Sequence, residues 1–338
     1  MEKREKREEG CCKVVMSESA KANGKRFFDF KDEVKEALEK GKPVVALEST
    51  LISHGFPYPE NLEVAGEMEE IIRGYGVVPA TIAVIGGKIK VGLTRGELEF
   101  MATSKDILKA SRRDLAAIVA KGLNGATTVA ATMMLAERAG IKVFATGGIG
   151  GVHRGAEKTF DISADLQELA RTPVAVVCSG AKAILDLSLT LEYLETMGVP
   201  VVGFGSEELP AFYCRESGLK VDYVVDSEVG AANIIRAMED LGLGGGLLIV
   251  NPVPEEHALS MEYMNEMIEE AVKAAEKEGV KGKKLTPYLL GRINELTGGK
   301  SLQANIELVK DNARVAAKIA KELCQLSCQA PKLSKRKL

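Results

Sequence analysis

Pro43-Val44-Val45-Ala46-Leu47-Glu48-Ser49-Thr50 is an unbroken apolar run that stops at a carboxylate and two hydroxyls. Five apolar residues without alternation suit a strand buried on both faces. Such strands occur where helices cover a parallel sheet on both sides. The flanks agree. Asp32 to Lys40 reads as a helix halted by Gly41 and Pro43. Asn61 to Arg73 places Leu62, Ala65, Met68 and Ile72 on one helical face.

The same rhythm continues. Ala80 to Ile85 and Lys88 to Val91 flank Gly86-Gly87, a hairpin signal, and Thr94 with Glu97 forms a capping box. Ala126 to Ala139 reads as a helix closed by Gly140, and Lys142 to Ala145 as a strand. Val174 to Val177 reads as a strand with a helix following from about Ala181. Further strands are expected at Pro200 to Val202, Tyr223 to Val225 and Leu247 to Val250, and Ser227 is expected to cap a helix over 228–240. Glu255 to Leu323 is mostly helical by composition. The expectation is an α/β fold with a mixed, largely parallel sheet under helices on both faces. One catalytic domain is expected over 26–324, between a charged tail at 1–25 and a basic tail at 325–338.

With 338 residues, 46% of them hydrophobic, the chain can bury a large core. Its 45 basic and 48 acidic residues are mixed, which argues against a broad nucleic-acid-binding face. No run of about 18 apolar residues predicts a membrane helix. The six cysteines match no zinc pattern and include no Cys-x-x-Cys, so a reducing cytoplasm is the expected compartment.

In open α/β sheets, ligands sit beyond the carboxyl ends of the strands, where turns expose backbone N–H groups. Those positions here are Glu48-Ser49-Thr50, Thr146 to Gly151, Ser179 to Lys182, and Asn251. Lys182, placed in the first turn of the expected helix, would face the positive end of its dipole, which favours a neutral amine suited to imine chemistry. A solvated surface lysine is the alternative. Glu48, beside an apolar wall, can hold its proton and act as an acid, or else cap a helix or pair with a cation. Asp161 and Asp165 are either oxygen ligands for a hard metal ion or turn and cap residues. The glycines from 147 to 151 could present amides to a phosphate or serve a tight turn. His153 could meet an anion or be structural, and Lys109, Arg112 and Arg113 could bind phosphate or pair with carboxylates.

The ordered segments carry a more specific signal together. They include Ala46-Leu47-Glu48-Ser49-Thr50-Leu51-Ile52-Ser53-His54-Gly55, Ser111-Arg112-Arg113-Asp114-Leu115 and Asn124-Gly125-Ala126-Thr127-Thr128-Val129. Phe144 to His153, Asp161 to Leu166, Cys178 to Asp186, Asn251-Pro252 and Ser301 to Ile306 complete the set. Over residues 43–323 the chain resembles the pseudouridine-5′-phosphate glycosidase family, which includes indigoidine synthase A-like proteins. The resemblance implies an α/β/α sandwich, a trimer, and a small sugar-phosphate substrate carrying a uracil base. It implies Lys182 as covalent nucleophile, Glu48 as proton donor and Asp161 as ligand of Mn²⁺, or of Mg²⁺. It implies substrate contacts at Lys109, Val129, Ser163, Ala164 and Asp165, with Asn305 near the base and Thr146 and His153 toward the phosphate. An aldolase-like sugar-phosphate lyase using Lys182, and a sugar-phosphate-binding module without turnover, are the competing readings.

Overall fold

A computed structural model describes residues 25–280, 282 and 285–329. The expected N-terminal tail before Lys25 and the basic run from Lys332 to Lys337 lie outside the described residues.

Thirteen short strands are described. In chain order they are β1 (Phe28–Phe30), β2 (Val44–Glu48), β3 (Val78–Ile85), β4 (Lys88–Val91) and β5 (Leu108–Ala110). Then come β6 (Gly125–Thr127), β7 (Val143–Ala145), β8 (Val152–His153), β9 (Ala175–Cys178) and β10 (Leu185–Asp186). β11 (Val201–Phe204), β12 (Tyr223–Val225) and β13 (Leu247–Val250) complete the set. Eleven of them form one sheet in the order β1-β4-β3-β2-β7-β9-β13-β11-β12, with β6 pairing β3 and β5. The pairs from β3 through β2, β7, β9, β13 and β11 to β12 are all parallel. β4 and β6 both run antiparallel to β3, so the sheet is mixed. The β3–β4 turn uses Gly86 and Gly87 at φ 55° and 75°, the left-handed conformations that a two-residue hairpin requires.

Every residue of β2, β7, β9 and β13 is buried, as strands covered on both sides must be. One layer contains the long helix Lys300–Gln329, packed on β2, β7 and β9 and flanked by Glu60–Gly74 and Glu228–Asp240. The other contains Val129–Ala139, packed on β2 and β3 and beside Arg112–Ala120 and Ala164–Leu169. This is the expected α/β/α arrangement. One cluster of buried apolar side chains runs from Val34 to Leu323. The last helix continues to Gln329 with Leu326 against that core, so position 324 falls inside a helix.

Two local expectations are corrected. Ala126 belongs to strand β6, and the helix begins at Val129 after Thr128, whose hydroxyl accepts from the Ala131 N–H. No helix begins at Ala181. Residues 181–186 form a turn and the short strand β10, and the next helix is Leu187–Thr196, capped by Asp186. Pairing with the glycine loop prevails over local helix propensity, because the Lys182 N–H donates to the Ile149 carbonyl at 3.1 Å.

Candidate active site

The sheet order places a switch point between β2 and β7. From β2 the chain moves to β3 on one side, whereas from β7 it moves to β9 on the other. The crevice at such a point lies beyond the carboxyl ends. A cavity of about 570 Å³ occupies that position. Glu48 and Lys182 line it, as do Lys109, Val129, Thr146, His153, Asp161, Ser163, Ala164, Asp165 and Asn305. The structure therefore brings these eleven candidates to one chamber, whereas Asn251 is not in its lining and donates instead to Asp311 at 2.7 Å and Asn312 at 3.0 Å.

Glu48 closes β2 and is 8% exposed, and its carboxyl accepts a hydrogen bond from the Thr146 hydroxyl at the end of β7. Burial pushes its pKa up. The Lys182 charge and the Thr146 hydroxyl pull the other way, and the nearby Asp165 carboxylate adds to the rise. A carboxyl in this setting keeps its proton to higher pH than an exposed one and can deliver it.

Lys182 is half-buried, and its Nζ donates to the Gly148 carbonyl at 2.6 Å. No helix begins at Ala181, so no macrodipole lies behind this amine, contrary to the expectation from sequence. Its aim comes from the glycine loop instead. A Cβ on Gly148 would lie 2.6 Å from the Phe212 ring and 3.0 Å from the Gly180 carbonyl, so only glycine lets this carbonyl sit where it does. Phe212 itself has φ 62°, and its N–H donates to the Ser179 carbonyl at 3.1 Å. The Cys178 thiol nearby is pushed up to about 12 by burial, which leaves it a poor nucleophile.

Asp165 is buried, and both its oxygens are used. Oδ1 accepts from Ala130 N at 2.9 Å and Oδ2 from Gly150 N at 2.8 Å. It therefore ties the start of helix Val129–Ala139 to the glycine loop, and Ser163 Oγ accepts the Asp165 N–H. Arg112 meets the fully buried Glu168 carboxylate through both Nε and a terminal nitrogen, so the pairing reading applies to it. Arg113 stays exposed at the cavity edge. His153 is half-buried, and burial lowers its pKa while Asp161 opposes the change.

Among the described residues no group of three or more His, Cys, Asp or Glu side chains is arranged around a metal position. Asp161 is exposed at the cavity wall, with its carbonyl accepting the His153 N–H at 3.0 Å. One free-facing carboxylate beside a cavity fits a hard divalent ion that keeps most of its waters, and does not fit a caged one.

Sequence reading missed several residues. Asn312, fully buried on the last helix, donates to the Thr146 carbonyl at 2.9 Å and to Ser179 Oγ at 3.1 Å, joining two strand ends. Phe212 and His54 line the cavity too. Only His54 carried a signal, lying six residues after Glu48.

Residues 33–322 match the family model described as indigoidine synthase A like protein. The chain belongs to this family. A relative from Caldanaerobacter subterraneus subsp. tengcongensis named pseudouridine-5′-phosphate glycosidase is 68% identical over 305 residues, covering 90% of this chain and 99% of that protein. One of the same name from Petrotoga mobilis is 62% identical, covering 89% and 98%. Among solved structures, the prealnumycin C-glycosynthase in complex with ribulose 5-phosphate is 41% identical, with TM-score 0.84 over 90% of this chain and 99% of that one. The indigoidine synthase A-like protein of Thermotoga maritima is 36% identical, with TM-score 0.80 over 88% and 97%.

Proposed function

We propose that this family member reversibly cleaves the carbon–carbon glycosidic bond of pseudouridine 5′-phosphate, giving uracil and ribose 5-phosphate through an imine on Lys182. The observation that carries the reading is a buried carboxyl, Glu48, whose pKa burial pushes up, sharing one cavity with the Lys182 amine. The shared name of relatives matched over nearly their full length supports the substrate. The pentulose 5-phosphate bound by a solved relative supports an opened sugar chain, since ribulose 5-phosphate has no free hydroxyl placed to close a stable ring.

A carbon leaving group departs poorly from an intact ribose. Lys182 attacks C1′ as the free amine while Glu48 gives its proton to the ring oxygen, which leaves C1′ and opens the ring. The proton shed by the attacking nitrogen returns to Glu48. The nitrogen lone pair then forms the C1′=N bond as the C1′–C5 bond breaks, and C5 of uracil takes a proton. Water adds to the imine, releasing ribose 5-phosphate and the amine. Asp161 would hold a Mn²⁺ or Mg²⁺ ion, which supplies charge stabilisation when bound. Asp165 holds the glycine loop that aims Lys182, and Lys109 contributes positive charge for the anionic substrate.

The trimer implied by the resemblance and the cytoplasmic setting read from the cysteines belong to the same proposal. Among the described residues no helix is long and apolar enough to cross a membrane. Release of uracil from pseudouridine 5′-phosphate, followed by ultraviolet absorbance with and without Mn²⁺, tests the activity. Turnover of simple ketose phosphates without uracil release would instead favour an aldolase-like lyase.

A further inference from the structure

His54 has no role in the reaction as derived above, yet it lines the same cavity as Glu48 and Lys109. It sits in the π-helical turn Leu51–Gly55 that directly follows β2. Its Nε2 is buried and has no hydrogen-bond partner among the described residues. Leaving a buried polar nitrogen unpaired is costly, so such a group commonly marks a ligand's place. The ring's own hydrogen bond is to the backbone at Ile107 and favours the protonated ring, as donation to a carbonyl does. Burial, and then the Lys109 charge, work against that protonation. With the other nitrogen carrying the hydrogen, Nε2 presents a lone pair. A lone pair repels a phosphate and needs a donor.

The surroundings indicate which donor. The turn packs against helix Leu285–Leu296, and Leu51 with Pro287 and Leu290 of that helix forms apolar cavity wall. The fixed charges of Lys182, Asp161 and Asp165 belong to other segments. An apolar wall suits a flat base better than a sugar phosphate. A uracil ring joined through C5 keeps both ring N–H groups, N1–H and N3–H, and either can donate.

We infer that His54 is a base-recognition residue whose Nε2 accepts a ring N–H of the uracil base. This inference rests on the proposed glycosidase reading. It predicts selection for a base with that N–H, separate from the covalent chemistry at Lys182.

The test compares wild type, His54→Leu and His54→Gln with pseudouridine 5′-phosphate and with its 1-methyl and 3-methyl base analogues. Borohydride trapping with ribose 5-phosphate alone reports the sugar step. His54→Leu should lower kcat/KM for the unmodified substrate by about tenfold or more. It should also erase the discrimination that wild type shows against one of the two methylated bases, while trapping ribose 5-phosphate as wild type does. His54→Gln, which keeps an acceptor oxygen, should recover part of the loss. Equal discrimination in wild type and His54→Leu would overturn the inference, as would kcat/KM within threefold of wild type. Loss of sugar trapping in both variants would also overturn it, assigning His54 to the sugar side or to the fold. If wild type neither traps the sugar nor releases uracil, the glycosidase reading itself has failed.

Discussion

Glu48→Gln separates catalysis from stability. The amide is nearly the same size and its oxygen can still accept from the Thr146 hydroxyl, so the strand end should keep its geometry. It cannot donate a proton to the ring oxygen or receive one from the amine. A positioned acid or base contributes about 10²–10⁴ in rate, and Glu48 serves more than one transfer, so kcat should fall by at least about 10³. Stability should move the other way. Burial raises the Glu48 pKa in the folded chain above its unfolded value. Such a group stabilises the fold fully below the unfolded pKa, and that contribution is lost as pH rises through the folded pKa. Each tenfold difference between the folded and unfolded ionisation constants is about 1.4 kcal/mol. The variant carries no such penalty. Its Tm should therefore exceed wild type by about 2 °C or more at pH 8, with the gain shrinking toward pH 5. Stopped assays of uracil release and calorimetry at both pH values check this. A variant that keeps a tenth of wild-type kcat, or that melts lower at pH 8, would refute the argument.

Other predictions follow from the same geometry. Because the acid form of Glu48 is required, wild-type kcat/KM should fall as pH rises through its elevated pKa. Asp165→Asn removes the carboxylate that helps raise that pKa, so the alkaline limb should move to lower pH; an unmoved limb in the pH–rate profile would reject the coupling. The same variant gives up charge-assisted bonds to Ala130 and Gly150, costing about 1.5–3 kcal/mol by denaturant melt. Gly148→Ala forces a methyl against Phe212 and should cost about 1–3 kcal/mol, with a larger fall in kcat than in substrate affinity as the carbonyl under Lys182 shifts. Asp161→Asn should weaken Mn²⁺ binding by calorimetric titration without changing Tm in metal-free buffer, and unchanged affinity would remove Asp161 from the ion's ligands.

Buried strands were legible because a parallel sheet covered on both faces demands apolar runs, and β2, β9 and β13 read that way without structure. The polar residues that end those runs located the cavity for the same reason. The segment after Ser179 was misread because Ala-Lys-Ala-Ile-Leu suits a helix locally, while its backbone bonds to a loop some thirty residues earlier. Asn312 and Phe212 left no trace in spacing. Asn312 meets Thr146 across 166 positions, and Phe212 acts through a left-handed backbone under a glycine. Contacts of that range are made by packing the layers together, not by local pattern. The roles of Glu48 and Lys182 came from family resemblance; the structure adds their shared cavity and the burial of the carboxyl.

The proposed reaction turns on a covalent bond between the Lys182 amine and C1′ of the opened sugar. Mass spectrometry of protein reduced with borohydride during turnover measures it directly. One pentose-phosphate adduct is expected, mapped to the peptide carrying Lys182 and lost in Lys182→Ala. Turnover with no adduct, or an adduct on Lys109 instead, would contradict it.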